Sequence, residues 1–217
     1  MMALRRTADF FDSYAHDFSA IYGTSNSLKN RIINSLFRKS MMIRYRKTLA
    51  GCDPVEGKSV IDIGCGPGHY GIALAKKGVK HVLGLDFAPA MIDLARENAR
   101  AAGVDGICEF VCGDFLDRSF DRKFDYSVLM GFMDYIADPG EVIRKALSVT
   151  ESRAFFSFPA DGGFLAWQRK LRYRRRCDLY LYTEDGLHRL FEGSGASGVS
   201  IERIDRDFFV TAAMDRP

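Results

Sequence analysis

Val60-Ile61-Asp62-Ile63-Gly64-Cys65-Gly66-Pro67-Gly68-His69-Tyr70-Gly71 is the stretch on which the reading of this chain turns. An apolar, β-branched run stops at a glycine turn, and a helical pattern follows at once. Strand, glycine loop, helix is an order that lets backbone approach a ligand closely, because glycine places no Cβ in the way. The start of the helix also leaves backbone N–H donors without intrahelical partners. Which ligand such a loop takes is decided by residues further along the chain.

Working outward, residues 3–50 read as helical. Ala8, Phe11, Tyr14, Ala15 and Phe18 fall near i, i+3, i+4 spacing. Gly23-Thr24-Ser25-Asn26 breaks the pattern, and Ile32, Ile33, Leu36, Phe37, Met41 and Ile43 continue a second helix to about Gly51. From residue 59 the period changes. Short runs at 60–63, 81–86, 107–111, 126–130 and 154–158 suit buried parallel strands. Helical patterns lie between them. One ends at Gly78, one has Pro89 in its first turn and Gly103 past its end, and one opens at Asp138-Pro139. Another follows Thr183-Glu184-Asp185, an N-cap-like start. Residues 199–204 and 208–212 are two further strands joined by a tight Asp205-Arg206-Asp207 turn. The alternation predicts an α/β fold: a Rossmann-like, seven-stranded, doubly wound sheet, mostly parallel, with an antiparallel C-terminal hairpin strand. Residues 1–55 read as an N-terminal helical extension, a lid or cap. Residues 56–217 read as the cofactor-binding domain, with a basic, aromatic insertion at about 161–182.

The chain of 217 residues carries a net charge of +3, with 47% hydrophobic and 27% charged residues. That suits one globular domain with a sizeable core and is too mildly basic to imply nucleic acid by itself. Cys52, Cys65, Cys108, Cys112 and Cys177 are an odd number without Cys-x-x-Cys spacing. They read as reduced thiols in a cytoplasmic protein. No apolar leader opens the N-terminus and no stretch approaches ~18 apolar residues, so neither signal peptide nor membrane span is expected.

Gly66-Pro67-Gly68-His69-Tyr70-Gly71 matches Gly-x-Gly-x-x-Gly, which supports a nicotinamide or flavin dinucleotide. Asp86, at the end of the next strand, suits ribose hydroxyls in that reading and in its rival, S-adenosylmethionine. Four features favour the rival. Asp62, inside the first strand, suits a ligand carrying an ammonium. Pro67 occupies the loop where a pyrophosphate would want an N–H. Gly113-Asp114-Phe115 after the third strand offers an acid and an aromatic to an adenine. Five strands plus a hairpin also differ from two mirrored mononucleotide halves.

Together these motifs resemble the class I S-adenosylmethionine-dependent methyltransferases over about residues 56–160. Asp62 with Gly64-Cys65-Gly66-Pro67-Gly68 is similar to that family's first motif, Leu85-Asp86-Phe87 to its second and Cys112-Gly113-Asp114-Phe115 to its third. Met130-Gly131-Phe132-Met133-Asp134-Tyr135 lies where the fourth motif ends its strand. The N-terminal Tyr14…Tyr22 helix and the basic segment resemble small-molecule branches, including quinone and Mg-protoporphyrin methyltransferases. The resemblance implies S-adenosyl-L-methionine as cofactor and S-adenosyl-L-homocysteine as product. It implies that the Gly64, Cys65, Gly66 and Gly68 backbone cradles the methionine portion, with Asp62 near its ammonium. Asp86 would accept both ribose hydroxyls. Phe87 and Met91 would flank the adenine, Asp114, next to Gly113, would receive its amino group, and Phe115 would lie against its ring. Met130, Gly131 and Phe132 would lie along the sulfonium and methyl group. Tyr14 and Tyr22 would close over the cofactor and acceptor.

Because the sulfonium brings a reactive methyl, the protein must orient a nucleophile in line with the S–CH3 bond and exclude water. A hydroxyl acceptor also needs a base. His69 and Asp134 are the candidates, with Tyr135 orienting the acceptor; a solvated loop histidine and a helix-capping aspartate are the plainer readings. An amine or thiol needs no base. Trp167, Tyr173 and Tyr180, among Arg169, Lys170, Arg172, Arg174, Arg175 and Arg176, suit an aromatic, cation-lined pocket for an anionic molecule; a solvated helix face is the plainer reading. Arg44, Tyr45 and Arg46 read as a solvated face, or as reaching a carboxylate on cofactor or substrate. No metal is expected, since His16, His81 and His188 lack ligand spacing. The reading is a methyltransferase acting at O or N of a small organic molecule, with anionic acceptors among the options. The alternatives are an RNA or protein methyltransferase docking through the basic stretch, a non-catalytic S-adenosylmethionine-binding regulator, and an NAD-dependent oxidoreductase. Nucleic acid is not the expected partner, because there is no separate recognition domain and no Asn/Asp-Pro-Pro-aromatic motif on strand four.

Overall fold

The computed structural model describes residues 28–162 and 178–215. Tyr14, Tyr22, Trp167, Tyr173 and the basic stretch therefore lie outside the described residues. A helix, α1 (Leu28–Gly51), leads into β1 (Ser59–Ile63). Then come α2 (His69–Lys76), β2 (His81–Asp86), α3 (Pro89–Ala101) and β3 (Cys108–Cys112). β4 (Phe124–Leu129) ends in a 3₁₀ turn (Met133–Tyr135), followed by α4 (Pro139–Ser148) and β5 (Thr150–Pro159). After the insertion, α5 (Glu184–Phe191) precedes the hairpin of β6 (Gly198–Ile204) and β7 (Asp207–Ala213).

The seven strands form one sheet in the order β3-β2-β1-β4-β5-β7-β6. Only β7 runs against its neighbours, pairing antiparallel with both β5 and β6. The order reverses between β1 and β4, and in an open α/β sheet the crevice at such a reversal is where ligands bind. The predicted seven-stranded, doubly wound architecture is the one observed. Two local expectations are corrected. β5 runs from Thr150 to Pro159, beyond the expected 154–158, because Thr150 and Arg153 pair with Phe124 and Tyr126 of β4 across an irregularity in register, pairing that apolar content does not signal. Asp207 does not belong to the hairpin turn: it opens β7 opposite Ile204, and Asp205-Arg206 alone turn the chain, with Asp205 at φ 57°.

Strand alternation sends side chains to two cores. Ile61, Ile63, Leu83, Leu85, Phe156 and Phe158 pack against α4 and α5. Val60, Val82, Phe110, Tyr126, Val128 and Phe155 pack on the face of α2 and α3. Each such side chain, removed from water, contributes about 1.5–3 kcal/mol before entropy is counted. Among the described residues, no helix is long and apolar enough to cross a membrane.

One row across the sheet sets the floor of the glycine loop. Asp62 of β1 stands beside Val128 and Gly84, and Gly84 stands beside Phe110. The Phe110 ring lies directly on Gly84, where an added Cβ would sit 2.4 Å from it, and also under Gly68, where a Cβ would sit 2.8 Å away. Gly84 is thus glycine because an aromatic ring occupies its side-chain space. Gly84→Ala is expected to destabilise the chain by about 1–3 kcal/mol through overpacking, while Gly106→Ala, which meets nothing within 4 Å, serves as control. Calorimetric melting checks this, and equal midpoints for the two variants would remove the steric role of Phe110.

Candidate active site

The glycine loop closes over the end of β2. Gly64 and Cys65 both donate their N–H to the Leu85 carbonyl, at 2.8 and 2.9 Å. Gly64, Gly66 and Gly68 all have positive φ, at 68°, 51° and 81°, in the left-handed region that glycine enters at little cost. Asn98 of α3 donates to the Pro67 carbonyl at 3.0 Å, holding the loop from behind.

Asp86 is the node of this end of the sheet. One carboxylate oxygen accepts the Gly66 N–H at 2.9 Å, and the other accepts the Ala88 N–H at 2.9 Å. Its backbone carbonyl accepts the Gly113 N–H, also at 2.9 Å. One residue therefore ties together the loops after β1, β2 and β3. A carboxylate offers about four acceptor sites, and two of them hold these N–H groups.

Between these loops lies a cavity of about 250 Å³. Gly64, Asp86, Phe87, Gly113, Asp114 and Phe115 line it together with Phe132, Tyr135 and Tyr180. Its wall also includes Leu116, Ile136, Asp138, Val142 and Asp178, which sequence reading did not single out as site residues. Asp138 was legible only as the residue opening α4, whose N-terminus it caps by accepting the Glu141 N–H. The Asp114 carboxylate accepts the Leu116 N–H at 2.8 Å, which folds the loop back on itself. Lys145 of α4 clamps the same loop, donating to the Leu116 carbonyl at 2.6 Å with its ammonium 5.3 Å from the Phe115 ring centre. Tyr180 donates its N–H to the Asp134 carbonyl, and the Tyr182 hydroxyl donates to the Met133 carbonyl. The chain returning from the insertion is thereby stitched to the turn after β4.

Other sequence candidates stand away from the cavity wall. Asp62 is 2% exposed and lies on the α2 side of the sheet, where it accepts the Gly71 N–H at 3.2 Å. There its carboxyl meets the positive end of α2 and satisfies a first-turn donor. Cys65 and Met91 are buried and Met130 is half-buried, packed in the core clusters behind the loops. Gly66 and Gly68 shape the loop from outside the wall. His69 opens α2 half-buried, and burial pushes its imidazole below the ordinary histidine value. Asp134, read as a candidate base, is 4% exposed and does not border the cavity. Of the proposed catalytic residues only Tyr135 does. Arg44 is no solvated helix residue: it donates to the Ser157 hydroxyl and lies 3.7 Å from the buried Asp207 carboxylate.

The structure thus has a glycine-loop cavity at the switch point of the sheet, beside an acid that ties three loops. Residues 54–159 match the model of a family described as a methyltransferase domain, which together with the observed sheet supports a class I S-adenosylmethionine-dependent methyltransferase. The magnesium-protoporphyrin O-methyltransferase of Rhodobacter capsulatus is 28% identical over 183 residues, covering 82% of this chain and 77% of that one. A ubiquinone biosynthesis O-methyltransferase of Neisseria meningitidis serogroup C is 30% identical over 107 residues, which is 48% of this chain and 44% of that one. In three dimensions the chain is similar to the magnesium protoporphyrin IX methyltransferase of Synechocystis PCC 6803 with bound S-adenosylhomocysteine. The TM-score is 0.79 at 19% identity, covering 96% of this chain and 98% of that one, a likeness of fold.

Burial, with the nearby Asp86 charge adding to it, pushes the Asp62 carboxyl up to about 7. The folded chain then holds this proton more tightly than the unfolded chain, whose carboxyl titrates near 3.8. The resulting stability is complete below that value and is lost as pH rises toward about 7, at up to about 1.4 kcal/mol per pH unit for one proton. Asp62→Asn, which keeps the acceptor for Gly71, is expected to flatten this slope and to be at least as stable as the parent chain at pH 8. Urea unfolding across pH 4–8 measures it; identical slopes would show that Asp62 does not carry the titration.

Proposed function

We propose that the enzyme transfers the methyl group of S-adenosylmethionine to an oxygen of a small anionic molecule, and that this oxygen is a carboxylate. The observation that carries the reading is the cavity at the switch point, walled by the loop residues after β1, β2 and β3 and faced by Phe132, Tyr135 and Tyr180. In this reading Asp86 accepts ribose hydroxyls while it holds Gly66 and Ala88. Phe87 and Phe115 present apolar faces to the adenine, and Asp114 receives the amino group. Gly64, Gly66 and Gly68 cradle the methionine portion. Asp62 serves through α2, whose first turn it anchors. Tyr180, Phe132 and Tyr135 face the acceptor.

The choice of acceptor atom rests on the candidate bases. Asp134 is enclosed beneath the 178–182 segment and His69 lies off the cavity wall. A carboxylate nucleophile is already ionised at neutral pH and needs neither. Catalysis then consists of orienting one oxygen toward the methyl group in a site closed to water, which can supply roughly 7–11 kcal/mol. Relatives that act as Mg-protoporphyrin O-methyltransferases favour a carboxylate-bearing tetrapyrrole among such acceptors. Free thiols at Cys52, Cys65, Cys108 and Cys112 accord with a reducing, cytoplasmic setting.

The cofactor half of the reading is checked by titration calorimetry with S-adenosylhomocysteine. Asp86→Asn is expected to weaken binding by about tenfold or more, roughly 1.4 kcal/mol, and an unchanged affinity would remove Asp86 from the site. The acceptor half is checked with methyl-labelled S-adenosylmethionine and three acceptors: Mg-protoporphyrin, a catechol and a primary amine. Label passing to Mg-protoporphyrin and released by mild alkali as volatile methanol, the behaviour of a methyl ester, is the expected result. Alkali-stable label on the catechol or amine, with none on the carboxylate, would overturn the carboxylate assignment and leave the cofactor site standing.

A further inference from the structure

A second buried polar system lies on the α1 side of the sheet, at the same end as the cavity. Ser157 of β5 is fully buried, and its hydroxyl accepts the Gly131 N–H at 2.7 Å and an Arg44 guanidinium N–H at 3.0 Å. The same Arg44 nitrogen is 3.7 Å from the Asp207 carboxylate, which accepts the Ser40 hydroxyl at 2.6 Å. The Arg44 and Asp207 side chains are 12% and 3% exposed. Burying such a pair costs desolvation that its attraction often fails to recover, and an apolar replacement of like shape is commonly as stable. What the pair does supply is direction. Two donors converge on one hydroxyl oxygen, which fixes where the Gly131 N–H points.

Gly131 is where that direction is used. It ends the run of β4 at φ 73°, a conformation that aims the next residue back across the sheet end. That residue, Phe132, lies so close to Gly64 that an added Cβ there would meet its ring at 2.5 Å. Phe132 and Gly64 are both cavity wall. A continuous chain of contacts therefore runs from α1 through Arg44, Ser157 and Gly131 to Phe132 and the glycine loop.

We propose that Arg44 and Ser157 are positioning residues for methyl transfer. Acting through Gly131, they seat Phe132 against the glycine loop, and so couple the docking of α1 to occupation of the cavity. This rests on the cavity being the cofactor site. Coupling of this kind is reciprocal: if docked α1 favours cofactor, cofactor must favour docked α1.

Amide hydrogen exchange on the full chain, with S-adenosylhomocysteine as the probe, tests it. In the unmodified chain, saturating probe is expected to slow exchange at Gly131 and at the α1 amides of residues 41–48 together, by about threefold or more. Slowing confined to the loops after β1, β2 and β3 would overturn the coupling. Arg44→Met and Ser157→Ala are each expected to speed Gly131 exchange about tenfold and to weaken probe binding about fivefold or more, with the double variant no worse than either. Arg44→Lys, which keeps a cationic donor on this helix, should recover part of the loss. Lys47→Met, which removes the exposed pair of the same helix with Glu202 and the approach of its ammonium to the Phe209 ring, should change neither quantity. Folded Arg44→Met with parental exchange and affinity would sink the proposal. Should that variant not fold, the result on the unmodified chain decides. A chain that fails to bind the probe at all would overturn the cofactor-site reading, and this proposal with it.

Discussion

The candidate site depends on one residue holding three loops. Asp86 accepts Gly66 N–H and Ala88 N–H with its carboxylate and Gly113 N–H with its carbonyl. Loops at the end of a parallel sheet have no ladder partners of their own, and each orphaned N–H must be satisfied or solvated. By placing an ionised acceptor at the end of β2, between β1 and β3, the fold satisfies those donors from a single point. The loops after β1 and β3 are therefore set relative to each other as well as to the sheet. A cavity of defined shape needs that, because its lining residues come from loops that follow different strands.

Sterics do the rest of the shaping. Phe110 stands on Gly84 and under Gly68, so the loop rests on an aromatic ring that only glycine in β2 makes room for. Phe132 closes on Gly64 from the other side. Close packing makes these contacts specific, since a single methyl group in either place has nowhere to go. Asp62 adds an electrostatic element below the loop: buried against the first turn of α2, it trades solvation for a helix-end partner and is held near half-ionisation at neutral pH.

The same end of the sheet has a polar brace on its α1 side. Ser40, Arg44, Asp207 and Ser157 form it, and it reaches the cavity wall only through the backbone of Gly131. A buried ion pair is weak support for stability and strong support for geometry. Here the geometry concerns the turn that carries Phe132, which is connected to α1 by contacts through Ser157 and Gly131.

Much of this architecture is written in the order of residues. The alternation of short apolar runs and helical periods determines the doubly wound sheet, because a parallel strand buried on both faces must read apolar throughout. The glycine loop, Asp86, Phe87 and the Gly113-Asp114-Phe115 turn are also legible, because each lies directly after a strand and strand ends converge at the switch point. Which side of the sheet a residue serves is a matter of pairing and register. Asp62 reads as a ligand group yet faces α2, one position out of step with Ile61 and Ile63. Asp134 reads as a base yet is enclosed by the 178–182 segment, distant in the chain, whose docking no local pattern announces. Arg44 and Asp207 read as a surface residue and a turn residue; they are partners because α1 and β7, distant in sequence, meet over β5. The sequence by itself determined the fold and the glycine and acidic loops at the strand ends, which follow from local period and strand position. Only the tertiary structure decided which charged groups are buried and what they hold, because that depends on contacts between segments that sequence order keeps far apart.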